Sequence, residues 1–447
     1  MSTLATLPDP EASDPDKGSA QTAVDHWKHP HHRRRAWIII GMLMLFQMIG
    51  IMDKFVLALA ASDIMREYGL SASQYGMVVA SFSVFFAASG VLTGIFVVSW
   101  LNVRWLLAIL ASIWAVAQLP VIFVPALWAL IGSRILLGAG EGPSISSAMH
   151  TGFGWFPPER RSLPNALITD GNYLGLVLSA PLLVTIMSAF GWRAGFVACG
   201  IISVGWVVLW LLVGGSGPYA RSGNDSSGAL TSARVPIRTL LTDQTLIGCF
   251  VLLFCCFWVQ TLGSSFTPLF FGKGLGIPFK SIGTIQMTVA LIQVAVVLSL
   301  SIVSQRLIRS GRSTLARPGL IVGAFVAGSA AYAIAASNSS LSVIVTCLGL
   351  GGGLAAVALV LGPVLMADFL PPFLRGPTVM VVVSSSMVAA LIAPVIAGRM
   401  IDSAGVIGPS GYRHVYWLVC AVLAIGALVG ALLLRPTTSA ARYTVEP

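Results

Sequence analysis

From residue 37 onward the chain alternates long apolar runs with short polar interruptions. A helix that crosses the hydrocarbon of a bilayer needs ~20 mostly apolar residues. Twelve runs reach that length: 37–60, 75–98, 103–124, 126–149, 163–187, 193–214, 245–271, 281–305, 317–337, 341–366, 374–398 and 412–434. The third and fourth are separated only by a turn near Pro125, which makes them a tight hairpin. The pattern predicts an all-α membrane protein of twelve transmembrane helices. The longest internal polar stretch, 215–244, is Gly/Ser-rich and divides the runs six and six. It reads as a linker between an N-terminal six-helix bundle (37–214) and a C-terminal one (245–434). Residues 1–36 are rich in Pro, Asp and Ser and are expected to be a disordered tail; residues 435–447 form a second tail.

Composition agrees with the pattern. Of 447 residues, 56% are hydrophobic and 9% charged, where a soluble protein carries ~25% charge. So few charges cannot solvate a surface of this size, which excludes a soluble enzyme and a disordered chain. The lipid bilayer is the main partner. The net charge of +10 would favour nucleic acid in a soluble protein. Here the basic residues lie in short loops, not along one face, so they report topology and no nucleic-acid partner is expected. With the N-terminus inside, eighteen Lys/Arg fall in cytoplasmic segments and six in outer loops, leaving Lys54 and Arg134 within spans. Both termini are therefore expected in the cytoplasm, and the location is the inner membrane. Arg33, Arg34 and Arg35 precede the first apolar run and no cleavage site follows it, so no cleavable signal peptide is expected.

The six cysteines all fall inside apolar runs, without metal spacing, and read as small packing residues. His26, His29, His31 and His32 belong to the polar tail, where solvation is the simpler reading than a metal site. No metal or cofactor is expected, and the chain is expected to be a monomer.

The two halves echo one another. Pro157-Pro158 after span 4 recurs as Pro371-Pro372 after span 10, at an offset of 214. Gly191-Trp192-Arg193 recurs as Gly411-Tyr412-Arg413, at 220, and Ser99…Arg104 as Ser304…Arg309, at 205. Three weak matches in the same order describe two parallel repeats. That is the logic of a transporter whose site lies between the halves at the bilayer midplane.

Four segments carry a family resemblance: Asp53-Lys54 late in span 1; Arg134-x-x-x-Gly138-x-Gly140-Glu141 in span 4; Trp155-Phe156-Pro157-x-Glu159-Arg160 followed by Gly171-x-x-x-Gly175; and Gly191-Trp192-Arg193-x-x-Phe196. In these the chain resembles the major facilitator superfamily, and within it the anion:cation symporter branch, over about 37–435. The resemblance implies import of a small organic anion, a carboxylate, together with protons. There are departures. Span 1 has Asp53-Lys54 where the branch usually has Asp-Arg. The loop after span 2 lacks its usual acid, and Ser304-Gln305 stands after span 8 where Ser-Asp is usual. Sugar-acid members carry an asparagine near the Val383–Ser384 position; this chain has VVVSSS there, which favours a monocarboxylate or aromatic acid.

Ionisable groups are costly in hydrocarbon and are functional by default. Five lie in the interior of spans, away from their first two residues: Asp53, Lys54, Arg134, Glu141 and Asp170. Arg134 and Glu141 are seven residues apart, so they share a helix face about 10.5 Å apart along the axis. The planar guanidinium of Arg134 suits a carboxylate; the alternative is a structural salt bridge to Glu141 or Asp53. Lys54 binds the anion or neutralises Asp53. Glu141 and Asp53 are the proton-coupling candidates. Asp170 serves packing or gating as readily as coupling. The uncharged substrate-binding candidates are Gln47, Asn172, Tyr173, Gln260, Gln286, Gln293, Ser384 and Ser385, each of which also fits a helix–helix hydrogen bond. The C-terminal half has no mid-membrane charge, so coupling is assigned to the N-terminal half. The run Gly349, Gly351, Gly352, Gly353 reads as a place of close packing or bending used in gating.

Efflux of drug-like or metabolite compounds is the alternative, with less use for Arg134. A receptor has no need of the repeat. An enzyme would need paired catalytic groups, and His150 and His414 sit at span ends.

Overall fold

The computed structural model describes residues 30–92, 102–124, 126–157, 162–219, 240, 242–310 and 315–443. Pro125, the Pro158–Arg161 part of the repeated loop, residues 93–101, most of the linker, and His26 and His29 lie outside these. The described chain is helical: α1 (Pro30–Glu67), α2 (Ala72–Leu92), α3 (Val103–Phe123), α4 (Leu127–Glu141), α5 (Ser144–Phe153), α6 (Ser162–Phe190), α7 (Trp192–Val213), α8 (Gln244–Ser265), α9 (Phe279–Arg309), α10 (Leu320–Ser337), α11 (Leu341–Phe369), α12 (Pro372–Ser386), α13 (Val388–Ala404), α14 (Ser410–Leu433) and α15 (Pro436–Tyr443). A short turn and a π-helical turn, Phe270–Gly274, extend the end of α8.

Ten stretches among the described residues are long and apolar enough to cross a membrane. The other two of the twelve expected runs are explained locally. α2 runs into the residues at 93–101 that lie outside the description. The run 126–149 is divided into α4 and α5 at Gly142-Pro143, because Pro143 has no N–H to continue the helical ladder. The run 374–398 is likewise divided at Met387 between α12 and α13. There the hydroxyls of Ser385 and Ser386 both donate back to the carbonyl of Val382, competing with the backbone ladder.

The described parts of both tails are helical. Residues 30–36 are the first turns of α1 rather than disordered, with Pro30 at the position where its fixed φ suits helix entry. Residues 436–443 form α15. The hydroxyl of Ser439 donates to Asp243 Oδ1 (2.9 Å) and Thr245 Oγ1 (2.7 Å), which ties this helix to the capped start of α8. Sharp reversals join neighbouring spans elsewhere. Between α6 and α7 a single residue, Gly191, turns the chain at φ +84°, a conformation that a Cβ disfavours.

The same helix pairings recur in both halves. α1 packs on α6, α2 on α4 and α3 on α7; correspondingly α8 packs on α12 and α13, α9 on α11 and α10 on α14. The halves meet through α2 against α13 and α6 against α9. The outward faces of α7 and α14 remain apolar and exposed, at Ile201, Leu212 and Leu428 among others, as a lipid-facing surface requires.

With an even number of crossings, both chain ends lie at one face, here termed the terminal face. The cross-half contacts gather at the opposite face. Asp402 at the end of α13 accepts hydrogen bonds from the backbone N–H groups of Ala72 (2.7 Å) and Ser73 (2.8 Å) and from the Ser73 hydroxyl, capping α2 of the other half. Tyr75 Oη donates to the Ser265 carbonyl. Gly76 lies so close to α13 that a Cβ there would sit 2.3 Å from the Pro394 carbonyl oxygen. These contacts hold the two halves together at the face opposite the described ends.

Candidate functional site

Neighbouring residues on a helix point about 100° apart, and this separates the two charges of α1. Asp53 turns into the bundle and is fully buried. Lys54 turns toward α4 and α2 and remains 35% exposed. Its ammonium pairs with Glu141 Oε2 at 2.5 Å, while the Glu141 side chain is only 2% exposed. The rings of Phe82 and Phe86 from α2 flank the same ammonium, each centroid at 5.6 Å. A cation with aromatic walls and one buried carboxylate partner is held, yet still reachable.

Arg134 is arranged differently. It is 2% exposed and faces the interior of the N-terminal half. Its Nη1 donates to the backbone carbonyl of Asp53 (3.1 Å) and its Nη2 to Ser133 Oγ (3.1 Å). The guanidinium lies over the Phe196 ring at 5.8 Å. The ion pair at this site is therefore Lys54–Glu141, where the sequence offered Arg134 with Glu141 or Lys54 with Asp53. Glu141 follows Arg134 by two turns, and the approach of α1 decides which cation it meets.

The carboxyl of Asp53 is served by Gln118 of α3, whose Nε2 donates to Asp53 Oδ1 at 2.9 Å. Gln118 is fully buried. Sequence reading passed over it, although it is the one amide in an otherwise apolar run with Arg104 at its entrance. The signal was a long polar side chain five residues from the end of a lipid-spanning helix. Cys199 of α7, read as a packing residue, faces the same carboxyl.

The uncharged candidates divide. Gln47 is 4% exposed and packs against Gly171 of α6. Asn172 donates to the carbonyl of Thr169 in its own helix, and Tyr173 beside it is half-buried. Asp170 is exposed. In the C-terminal half, Gln260 Nε2 donates to the Gly352 carbonyl (3.3 Å), and Gln293 lies against Gly352 and Gly353. Gln286 is buried, Ser384 is half-buried and Ser385 exposed. The glycine run belongs to the continuous helix α11 and receives neighbouring side chains closely. The structure thus brings Asp53, Lys54, Arg134 and Glu141 together in one N-terminal cluster, with Gln260 and Gln293 against α11 in the other half.

Residues 43–354 match the family described as Major Facilitator Superfamily. Among curated proteins, the chain is 30% identical to a probable sulfoacetate transporter of Cupriavidus necator over 39% of this chain and 40% of that one. It is 31% identical to a hexuronate transporter of Bacillus subtilis over 38% of this chain and 40% of that one. These two alignments span less than half of each relative. A third, to a probable galactarate/D-glucarate transporter of Bacillus subtilis, is 24% identical and covers 83% of this chain and 86% of the relative. Among solved structures, a bacterial homologue of the human lysosomal transporter Spinster, inward-facing and unoccupied, superposes with a TM-score of 0.77 at 16% identity, covering 92% of this chain and 99% of that one. A D-xylose-proton symporter gives a TM-score of 0.69 at 16% identity, covering 90% and 98%. Both structural likenesses speak for the fold.

Proposed function

This chain belongs to the Major Facilitator Superfamily, and we propose that it carries a small organic anion across the membrane together with protons, by alternating exposure of a site between its halves. The observation that carries the reading is the Lys54–Glu141 pair: a half-exposed cation whose protein partner is a buried carboxylate. An incoming carboxylate competes with Glu141 for the ammonium. Once Lys54 turns to the substrate, Glu141 is left buried without its counter-charge, and a buried carboxylate in that position costs least when neutral. Anion binding and proton uptake are linked through one shared cation. The relatives named for hexuronate, galactarate/D-glucarate and sulfoacetate support an anionic substrate.

Arg134 keeps a second role in this reading. Buried against the Asp53 carbonyl, it balances the charge of the Asp53–Glu141 region when either carboxylate is ionised. Asp53 is the second proton carrier. The excess of Lys/Arg on the terminal side supports cytoplasmic termini, and the contacts at the far face then correspond to a site open to the cytoplasm.

The test is uptake into proteoliposomes of a panel of sugar acids, aromatic and short-chain carboxylates and sulfonates, with and without an inward proton gradient. At least one anion is expected to accumulate with the gradient, and Lys54→Met to abolish it. Transport of neutral or cationic amphiphiles with no anion moving would sink the proposal in favour of efflux.

A further inference from the structure

We propose that Gln118 of α3 is a positioning residue for proton coupling, and that it holds Asp53 in its protonated form when the halves are in contact at the far face. The inference rests on the reading of Asp53 as a proton carrier. Both side chains are fully buried, and one hydrogen bond joins them, Gln118 Nε2 to Asp53 Oδ1 at 2.9 Å. Their two remaining oxygens, Asp53 Oδ2 and Gln118 Oε1, are buried without a hydrogen-bond partner. Both are acceptors when the carboxyl is ionised, so the ionised pair leaves two acceptors that neither member of the pair can satisfy. A buried polar atom left in that state is costly.

An amide and a neutral carboxylic acid have complementary groups: one amide N–H for the carboxyl oxygen, one carboxyl O–H for the amide oxygen. A proton on Oδ2 adds the single donor that lets the pair use both oxygens. Among the described residues no cation bonds this carboxyl directly, although Arg134 and Lys54 both lie near enough to act on its charge. Arg134 on α4 reaches only the Asp53 backbone carbonyl, and Lys54 on α1 itself is paired with Glu141 of α4. Cys199 on α7 also faces the carboxyl, but a thiol is a weak donor. Tyr75 on α2 lies near Arg134, with its hydroxyl on the Ser265 carbonyl. The amide therefore discriminates between the two protonation states, which is the property required of a residue that reports proton loading to the helix beside it.

The test uses the full-length protein in proteoliposomes. Gln118→Leu removes the partner with little change in volume. The pH midpoint of uptake is expected to move about one unit toward acid, the tenfold equivalent of one pKa unit, with counterflow exchange near the wild-type rate at low pH. An unmoved midpoint in a folded Gln118→Leu protein overturns the proposal. Infrared difference spectroscopy supplies a readout independent of any Gln118 variant. Wild-type protein should show a protonated carboxyl C=O band that is missing in Asp53→Asn; a band shared by both, or absent from both, also overturns it. Cys199→Ala should leave the midpoint in place, and a shift as large as that of Gln118→Leu would give the role to the thiol. If Asp53→Asn still concentrates substrate against its gradient, the underlying carrier reading fails. If Asp53→Asn uncouples transport while Gln118→Leu behaves as wild type, only the assignment of Gln118 fails.

Discussion

The two halves share a pattern of helix pairings but not a chemistry. In the N-terminal half, Asp53, Arg134 and Glu141 are almost wholly enclosed, with Lys54 at the edge of the same cluster. In the C-terminal half the corresponding polar side chains are amides, and Gln260 and Gln293 lie on the glycine backbone of α11. The difference teaches where each half is brittle. Enclosed charges depend on their partners, because an ion left alone in a low-dielectric interior loses hydration without compensation. An amide on a backbone carbonyl contributes about 1 kcal/mol, and the glycine helix beneath it packs the same with or without that bond. In the proposed cycle the first half carries the charge changes, and the second is the wall against which it moves.

Arg134→Ala should break this comparison most severely. It removes the buried cation that donates to the Asp53 carbonyl and to Ser133, at about 1–3 kcal/mol for each buried group left without its partner, and takes away the positive charge nearest Asp53. We expect loss of uptake with a marked fall in melting temperature in detergent. Wild-type stability with only substrate affinity reduced would move Arg134 from a charge-balancing role to direct substrate contact.

Next in size is Glu141→Gln, which mimics the protonated acid. Accumulation driven by a pH gradient should vanish while counterflow exchange continues, measured side by side in the same liposomes. Joint loss of both activities with falling stability would make Glu141 a structural partner of Lys54 instead.

Gly76→Ala addresses the seam between the halves. Its Cβ would lie 2.3 Å from the Pro394 carbonyl oxygen, so the far face could not close in its present geometry. Labelling of a cysteine introduced at Ser73 should become faster, and the exchange rate should drop severalfold. Unchanged labelling would show that α13 yields at this point.

The smallest effect belongs to the C-terminal half. Gln260→Leu deletes one amide–carbonyl bond and should cost about 1 kcal/mol, with uptake within roughly fivefold of wild type by that scale. A loss as complete as that of the N-terminal variants would show that Gln260 contacts the substrate, and the contrast between the halves would then need redrawing.

Several features were legible in sequence and others were not. The twelve runs and the repeat at offsets of 205–220 required only apolar length and loop spacing. The presence of Asp53, Lys54, Arg134 and Glu141 inside apolar runs was also visible, since charges there are rare and conspicuous; that spans 1 and 4 are neighbours rested on the family resemblance. The pairing of these charges was not visible. Spacing along α4 put Arg134 and Glu141 on one face, but it could not say that α1 would present Lys54 to Glu141 and only a backbone carbonyl to Arg134. Gln118 was missed because a lone amide in an apolar helix is most often a simple interhelical bond, and nothing within α3 points to Asp53.

What the sequence determined by itself is the set of helices, their number and the solvent they require, because each span satisfies its own backbone hydrogen bonds and its hydrophobic length is a local property. What only the tertiary structure decided is the set of partners: which cation each acid meets, which amide holds Asp53, and at which face Asp402 joins the halves on the start of α2. Those choices depend on the rotation and approach of helices distant in the chain. A shift of one position turns a side chain by about 100°, enough to exchange a salt bridge for a carbonyl contact.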